Sequence, residues 1–260
     1  MRDLRQIRPA IETMSQRLKL IVAYDGSEYA GWQSQTHHNT IQDELERAVH
    51  QISGARVRVH GAGRTDTGVH ALAQCAHVDL ANRKLTAPRW MTALNGVLPP
   101  TIRVLRCRYV AGKFHARFSA KGKTYRYRIW SGPVLPPLEL KRAWHISRSF
   151  DRDLFAAAGK QFVGEHNFAA FAASRGKPEE NTTRTIWSLA VRGRSGNIAV
   201  EISGNGFLYK MVRLIIGTMV QVARDKANIG EIDAGLRSGR PNKGRLVAPA
   251  EGLYLVRVWY

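Results

Sequence analysis

Residues 57–80 read VRVH, GAGRTDTG and VHALAQCAHVDL: a short extended segment, a glycine-rich loop at 61–68 and a longer segment with a period near two. A period of two places successive side chains on opposite faces of a sheet, so both flanks are predicted strands. Glycine permits backbone conformations closed to other residues, which allows a tight loop between them. The pattern predicts a strand, loop, strand unit that presents Arg64 and Asp66 at its tip.

The segments around this unit mix strands and helices. RLKLIVAYDG at 17–26 predicts a buried strand ending in a turn. Apolar residues at helical spacing predict a helix over 41–52, capped by Asn39 or Thr40 and ended by Gly54. A second helix is predicted from Pro88 to Gly96, and a strand over 102–110.

The second half of the chain shows the same mixture. KTYRYRIW at 123–130 alternates strictly, which places Tyr125, Tyr127 and Ile129 on one face of a strand. Further predicted elements are a helix over 151–163, a hairpin of 185–193 and 197–204 around Ser195-Gly196, a long apolar helix over 207–223 and a final strand over 252–259. The irregular order favours an α+β class with antiparallel or mixed sheets and helices on one face.

The predicted organisation has three parts. Residues 1–16 show no strand or helix pattern and are expected to be a loose N-terminal extension. Residues 17–112 form an N-terminal α+β domain with the aspartate loop, and 113–260 form a C-terminal α+β domain.

The charge of the chain points to a polyanionic partner. Forty Lys and Arg against twenty Asp and Glu give a formal net charge of +20, spread through the folded part of the sequence. Nucleic acid is the natural partner. An acidic membrane surface would favour a basic amphipathic helix, and we find none. The two cysteines, Cys75 and Cys107, show no zinc or disulfide spacing, and no apolar leader is evident, so a cytoplasmic location is expected.

Asp66 allows several interpretations from spacing alone. It can be a turn residue bonded to its own backbone, a common role for Asp between glycines. The glycines can cradle a phosphate, although neither common phosphate-loop pattern is present. A metal site of Asp66, His70, His77 and Asp79 is disfavoured because these residues alternate in facing. An ionised Asp66 beside Arg64 is also a competent nucleophile toward a sugar or base carbon.

Five segments resemble the TruA-type tRNA pseudouridine synthases, in the same order and over nearly all of 17–260. They are AYDGSEYAGWQSQ (23–35), GAGRTDTGVHA (61–71), FHARFSAKGKTYRYRIW (114–130), NGFLYKMVRLIIGT (205–218) and APAEGLYLVRVWY (248–260). The chain departs from the family pattern at Val247, where Thr is frequent, and at Thr67, where Ala is commoner.

The resemblance implies two related halves whose sheets join across a central basic cleft. It also implies an isomerase that forms pseudouridine at positions 38, 39 and 40 of the tRNA anticodon stem-loop, as a homodimer without metal or small-molecule cofactor. By the family's motifs, Asp66 is the catalytic nucleophile and Tyr125 the active-site tyrosine. Arg64 and Arg213 are the motif arginines expected to bind substrate.

The substrate adds further expectations. A uridine must leave its stack to reach Asp66, and Arg64 is expected to fill the vacated space or hold the flipped nucleotide. Arg213, on an otherwise apolar helix, is expected to pair with Asp66 or a phosphate, the alternative being a side chain that extends to water. Phosphate contacts are predicted for Arg117, Lys121, Lys123 and Arg126.

Two other functions compete with the synthase. A non-catalytic RNA-binding module would use the basic sheet and stack bases on Tyr125 and Tyr127. A nucleotide-dependent enzyme would use the glycine loop for phosphates. The RNA-binding module accounts for the charge but not for the loop that carries Arg64 and Asp66, and thermal stabilisation by ATP or GTP would support the nucleotide-dependent enzyme.

Overall fold

The computed structural model describes residues 16–81, 85–148, 150–174, 176, 179–194, 196–241 and 244–260. Residues 1–15 of the expected N-terminal extension, and Ser195 of the predicted hairpin turn, lie outside the described residues. The first strand begins at Gln16, one residue before the predicted start of the folded chain.

Ten strands form one mixed sheet in the described part of the chain. They are β1 (Gln16–Tyr24), β2 (Val59–Gly61), β3 (His70–Leu80), β4 (Ile102–Val110), β5 (Gly122–Ser131), β6 (Trp144–Ile146), β7 (Gly164–Asn167), β8 (Thr183–Arg194), β9 (Asn197–Gly204) and β10 (Leu253–Trp259).

The sheet order explains how distant segments meet. Its main path is β4-β1-β3-β10-β5-β9-β8-β7, with β2 paired to β3 and β6 to β5. The last strand, β10, runs parallel to β3, with Tyr254 opposite His70, and antiparallel to β5, with Leu255 opposite Tyr125. It therefore joins the strand after the aspartate loop to the strand that carries Tyr125. The α+β class is confirmed. One sheet contains strands from both sides of 112/113, so the division into two domains at this point stays a prediction.

Five helices accompany the sheet in the described residues: α1 (Ile41–Ser53), α2 (Ala87–Val97), α3 (Arg152–Lys160), α4 (Met211–Ala223) and α5 (Gly230–Ser238). The first helix is capped by residues that the sequence predicted. The Thr40 side chain accepts from the Asp43 amide at the start of α1, and Gly54 ends that helix in the left-handed region at φ 72°. Asp151 caps α3 in the same way as Thr40 caps α1.

The long apolar helix is shorter than predicted. The pattern indicated 207–223, but α4 begins at Met211 because Lys210 adopts a left-handed conformation at φ 57°. The Tyr209 carbonyl accepts from the Ala173 amide at 2.9 Å, which commits it to a loop contact and not to a helical one. Residues 207–210 therefore lie outside the helix, and they line the cleft described below.

The core is continuous across the sheet. It runs from Leu18 and Leu20 in β1 to Leu255 in β10 and includes most of α4. In β5, Tyr125, Tyr127 and Ile129 are buried and Arg126, Arg128 and Trp130 are partly exposed, as the alternation predicted, whereas Thr124 on the face of the arginines is buried as well.

No helix in the described stretches is long and apolar enough to span a membrane.

Candidate active site

The loop between β2 and β3, residues 62–69 (the Asp66 loop), is fixed by bonds to other segments. Gln74 Nε2 donates to the Gly63 carbonyl at 2.9 Å, and the Tyr24 and Thr65 hydroxyls lie 2.9 Å apart. The Trp32 amide donates to the Thr65 carbonyl at 3.1 Å. Backbone and side-chain bonds of this kind restrict the loop to one geometry. The residue after Thr65 is therefore held in a defined position.

Gly31 allows the 23–35 segment to close over this loop. Its φ is +93°, and a Cβ at this position would lie 2.4 Å from the Thr65 carbonyl oxygen. A side chain larger than hydrogen would force the two segments apart and would also adopt an unfavourable backbone conformation. Gly31 in AYDGSEYAGWQSQ thus positions Thr65, the residue before Asp66.

Asp66 forms an ion pair with Arg213 across the fold. Arg213 Nη1 lies 3.2 Å from Asp66 Oδ2, and the two side chains are 14% and 21% exposed. The Asp66 main-chain carbonyl accepts from the Val69 amide at 3.1 Å and closes a turn. The backbone of Asp66 thus forms the turn, and its carboxylate is available to the cleft. This carboxylate is neither sealed in the interior nor fully solvated.

Arg213 is braced by the segment that precedes β10. Its Nε donates to the Ala248 carbonyl at 2.7 Å, and its own carbonyl accepts from the Ala248 amide at 3.0 Å. One helical turn later, a Cβ on Gly217 would lie 1.8 Å from the Leu246 carbonyl oxygen. Gly217 therefore lets the 246–248 backbone lie directly on α4. The guanidinium is oriented by this contact before any substrate arrives.

Tyr125 stands in the same cleft on β5. It is 8% exposed, and its ring packs edge-to-face on Phe207 at 5.1 Å between centroids. Burial, and then the nearby Tyr24 and Asp66, raise the pKa of Tyr125 above its usual value, so the phenol stays protonated at neutral pH. Tyr127 differs: it is fully buried and its hydroxyl donates to the Pro249 carbonyl at 2.8 Å, as expected of a packing aromatic.

Arg64 does not pair with Asp66. It is exposed at the rim, and its Nε donates to Gln33 Oε1 at 3.1 Å. The cation beside Asp66 is Arg213, one of the two partners that the sequence offered. Arg64 remains free to reach outward into the cleft.

Asp66, Arg213, Tyr125 and Arg64 line one cleft of about 840 Å³. A volume in this range suits a nucleotide-sized ligand. The lining has two carboxylates, those of Asp66 and Glu179, and a larger set of cations: Arg58, Arg64, Arg117, Lys123, Arg184, Lys210 and Arg213. The central cleft is basic, as the family resemblance implied.

The predicted phosphate-binding residues divide into two groups. Arg117 and Lys123 line the cleft. Lys121 and Arg126 are not in its lining, and Arg126 Nη2 pairs with Glu201 Oε1 at 2.6 Å. Burial, followed by the charges of Arg117 and Arg184, lowers the pKa of Lys123 to about 8. The Lys123 ammonium lies near the like charges of Arg117 and Arg184, whereas Arg126, three residues further along β5, is neutralised by Glu201.

Several lining residues were missed from the sequence. Phe207 lies in a motif quoted above, but its contact with Tyr125 depends on the pairing of β5 with β9, which leads into residues 205–210. His60 and His115 also line the cleft and gave no signal in the pattern.

The described residues contain no group of three or more His, Cys, Asp or Glu side chains that could hold a metal ion. The four residues considered from the sequence make separate contacts. Asp66 pairs with Arg213 and Asp79 with Arg17, while His70 lies beside Asp25 and His77 stacks on His60.

Comparisons with known proteins identify the family of this chain. A family model described as tRNA pseudouridine synthase matches residues 20–119 and 158–260. The chain therefore belongs to the tRNA pseudouridine synthase family, and it is an isomerase that acts on tRNA.

Curated relatives match over almost the full length. tRNA pseudouridine synthase A of Akkermansia muciniphila is 43% identical over 94% of this chain and 95% of its own length. That of Acetivibrio thermocellus is 40% identical over 94% of this chain and 99% of its own. Among solved structures, one titled "Crystal Structure of a Cbf5-Nop10-Gar1 Complex" gives a TM-score of 0.37 at 14% identity, covering 78% of this chain and 45% of that one.

Proposed function

We propose that this chain isomerises uridine to pseudouridine at positions 38, 39 and 40 of the tRNA anticodon stem-loop, with Asp66 as the nucleophile. The observation that carries the proposal is the Asp66 carboxylate, held by Arg213 at 3.2 Å and open to a basic cleft. A guanidinium stabilises the carboxylate in its ionised, nucleophilic form. The family resemblance supports a homodimer, and the spacing of the two cysteines supports a cytoplasmic location.

The reaction rearranges one nucleoside without adding or removing atoms overall. The bond from C1′ to N1 breaks, the freed uracil turns, C1′ joins C5, and the C5 proton leaves while N1 gains one. Asp66 can attack C1′ or uracil C6, or promote elimination in the sugar, and it is regenerated in each case. Because the carboxylate is only 21% exposed, little water competes with it for the substrate.

Tyr125 is the group proposed to hold the uracil. Its ring is fixed against Phe207 in the lining of the cleft that contains Asp66. Since burial keeps the phenol protonated, Tyr125 acts through a hydrogen bond or a bound water and not as a phenolate. A water held in this way can carry the C5 proton away in the last step.

Arg64 and the other cations are proposed to handle the polynucleotide. The target uridine must be extruded from its stack. Arg64, exposed at the rim and bonded to Gln33, is placed to fill the gap or hold the flipped nucleotide. Arg117 and Lys123 line the same cleft and contact phosphates, which gives affinity and register without reading sequence.

The test is release of tritium from C5-labelled uridine in tRNA. The synthase releases it, whereas a non-catalytic RNA-binding module or a nucleotide-dependent enzyme releases none. Absence of release under conditions of full tRNA binding would overturn the proposal.

In parallel, doubling the salt concentration should weaken tRNA binding on the order of 10-fold through counterion release. A flat salt response would contradict the role of the basic cleft.

A further inference from the structure

The loop between β4 and β5, residues 112–121 (the Phe118 loop), is anchored from several sides. Arg17 Nη1 donates to the Gly112 and Phe114 carbonyls. The Ala116 amide donates to His77 Nδ1 at 3.1 Å, and the Tyr260 hydroxyl donates to the Ala116 carbonyl at 2.7 Å. These anchors come from β1, β3 and the C-terminus. The loop is therefore built as a rigid element.

His115 organises the tip of this loop. Its Nδ1 accepts from the amides of Arg117 and Phe118 at 3.1 and 3.3 Å, and its own amide donates to Ser119 Oγ at 2.9 Å. The His115 ring lies 4.3 Å from the Phe118 ring, with an interplanar angle of 31°. His115 thus backs one side of Phe118 and fixes the direction in which it projects.

The result is a phenylalanine held in place and exposed to water. Phe118 is 77% exposed. Leaving an aromatic ring of this size in solvent forgoes the favourable burial of a large apolar area. A flexible loop would let the ring collapse onto the surface, but the anchors described above prevent it. A lone exposed ring is common on protein surfaces and shows no partner by itself. A partner that covers this ring is inferred from the fixed loop together with the groups around it.

The surroundings identify the chemistry of that partner. Phe118, His115 and His60 lie together in the lining of the cleft, beside Arg58 and Arg117. The Arg117 guanidinium carbon lies 5.7 Å from the centre of the Phe118 ring. Flat aromatic faces beside cations match a strand whose bases stack and whose phosphates are anionic. An apolar protein surface would not need these cations.

We propose that Phe118, backed by His115, stacks on an unpaired nucleobase of the RNA substrate other than the target uridine. The inference rests on the proposed function for the identity of the RNA. It adds a second base-binding position, separate from the one formed by Asp66 and Tyr125. The second position contributes affinity and placement and takes no part in the chemical step.

The first test is tRNA binding by Phe118→Ala. Loss of one base stack should weaken the Kd about 5- to 150-fold, since stacking is worth roughly 1–3 kcal/mol per base. The slope of log Kd against log salt should stay unchanged because no phosphate contact is removed. Turnover at saturating tRNA should remain near the wild-type value. Leu138→Ala is the matched control, an apolar residue 87% exposed and outside the cleft lining, and should leave binding unaltered.

Two further variants distinguish stacking from simple apolar contact. Phe118→Trp should restore binding, and Phe118→Leu should not. Scanning single abasic sites through the anticodon stem-loop should find one position that weakens binding to wild-type protein and not to Phe118→Ala. That position is the stacked base.

Three results would overturn the proposal: wild-type affinity in Phe118→Ala, full rescue by Phe118→Leu, or a change in sedimentation of the free protein on Phe118→Ala. The last would identify the ring as a contact between protein copies. These outcomes are distinct from failure of the proposed function, which would appear as absence of tritium release in the wild-type protein.

Discussion

The Asp66 loop and the Phe118 loop face the same cleft and are both held by many hydrogen bonds, yet they present opposite kinds of group. The first presents a carboxylate that is 21% exposed and paired with Arg213. The second presents a ring that is 77% exposed and backed by His115. A partly buried, paired charge suits chemistry that must exclude water. An exposed ring suits recognition. With the roles proposed above, the cleft separates catalysis from binding by the depth at which each loop places its side chain.

Removal of the cation beside Asp66 should strongly slow the chemical step. Arg213→Met leaves a partly buried carboxylate without its partner, and we expect kcat to fall on the order of 100-fold with a small change in tRNA affinity. Arg213→Lys keeps the charge but loses the contact geometry to Ala248, so it should recover only part of kcat. Single-turnover tritium release measures both variants. Wild-type kcat in Arg213→Met would remove the ion pair from the mechanism.

The two tyrosines of β5 provide a matched pair. Tyr125→Phe should lower kcat about 10- to 100-fold with little change in Kd, because it removes a hydroxyl from the cleft. Tyr127→Phe removes the bond to the Pro249 carbonyl, so it should cost about 1 kcal/mol of stability and leave kcat unchanged. Steady-state kinetics and urea unfolding separate the two. Equal kcat values for the two variants would reduce Tyr125 to a packing residue.

Many helices and strands of this fold can be predicted from the sequence, because short stretches of residues decide where they form. Alternation in KTYRYRIW and the caps Thr40 and Gly54 are decided within a few residues. The central position of β10 is not, because its pairing with β3 joins residues far apart in the chain. Helix α5, with Gly230 and Gly235 inside it, has weak helix propensity and was missed.

In the site too, the local motif predicts some residues, and contacts between distant segments decide the others. The motif places Asp66 and Arg64 on one loop, which favoured a pairing between them or with a phosphate. The fold brings Arg213 to Asp66 from α4, and the sequence offered that pairing only as one of two possibilities. The aromatic tip at Phe118 depends on anchors from β1, β3 and the C-terminus and has no local signature.

The charge state of Lys123 should make tRNA affinity depend on pH. Its pKa of about 8 in the free protein means that it is charged below pH 8 and loses its charge above it. A bound phosphate favours the charged form, so affinity should be full at pH 7 and fall a few-fold by pH 9. Lys123→Arg stays charged and should remove this fall. Parallel pH profiles for the two proteins would contradict a phosphate contact by Lys123.

The anchor of the Phe118 loop should affect the stability of the fold and not the chemical step, and only in acid. Burial, followed by the charges of Arg17, His115 and His60, lowers the pKa of His77 to about 4. His77 is therefore neutral in the fold, and stability present above pH 6.5 should be lost as pH falls toward 4, by about 2–3 kcal/mol.

His77→Asn tests this anchor, because its amide oxygen can accept the Ala116 amide as Nδ1 does but cannot be protonated. Its unfolding free energy in urea should change less between pH 7 and 4.5 than that of the wild-type protein. Identical pH profiles would show that protonation of His77 does not lower the unfolding free energy.

The central claim is that the Asp66 carboxylate performs the chemistry on an extruded uridine. The most direct measurement is single-turnover tritium release by Asp66→Asn at tRNA concentrations that saturate binding. We predict wild-type Kd, an unchanged melting temperature and no release above background. Appreciable release from a correctly folded Asp66→Asn protein would contradict the account.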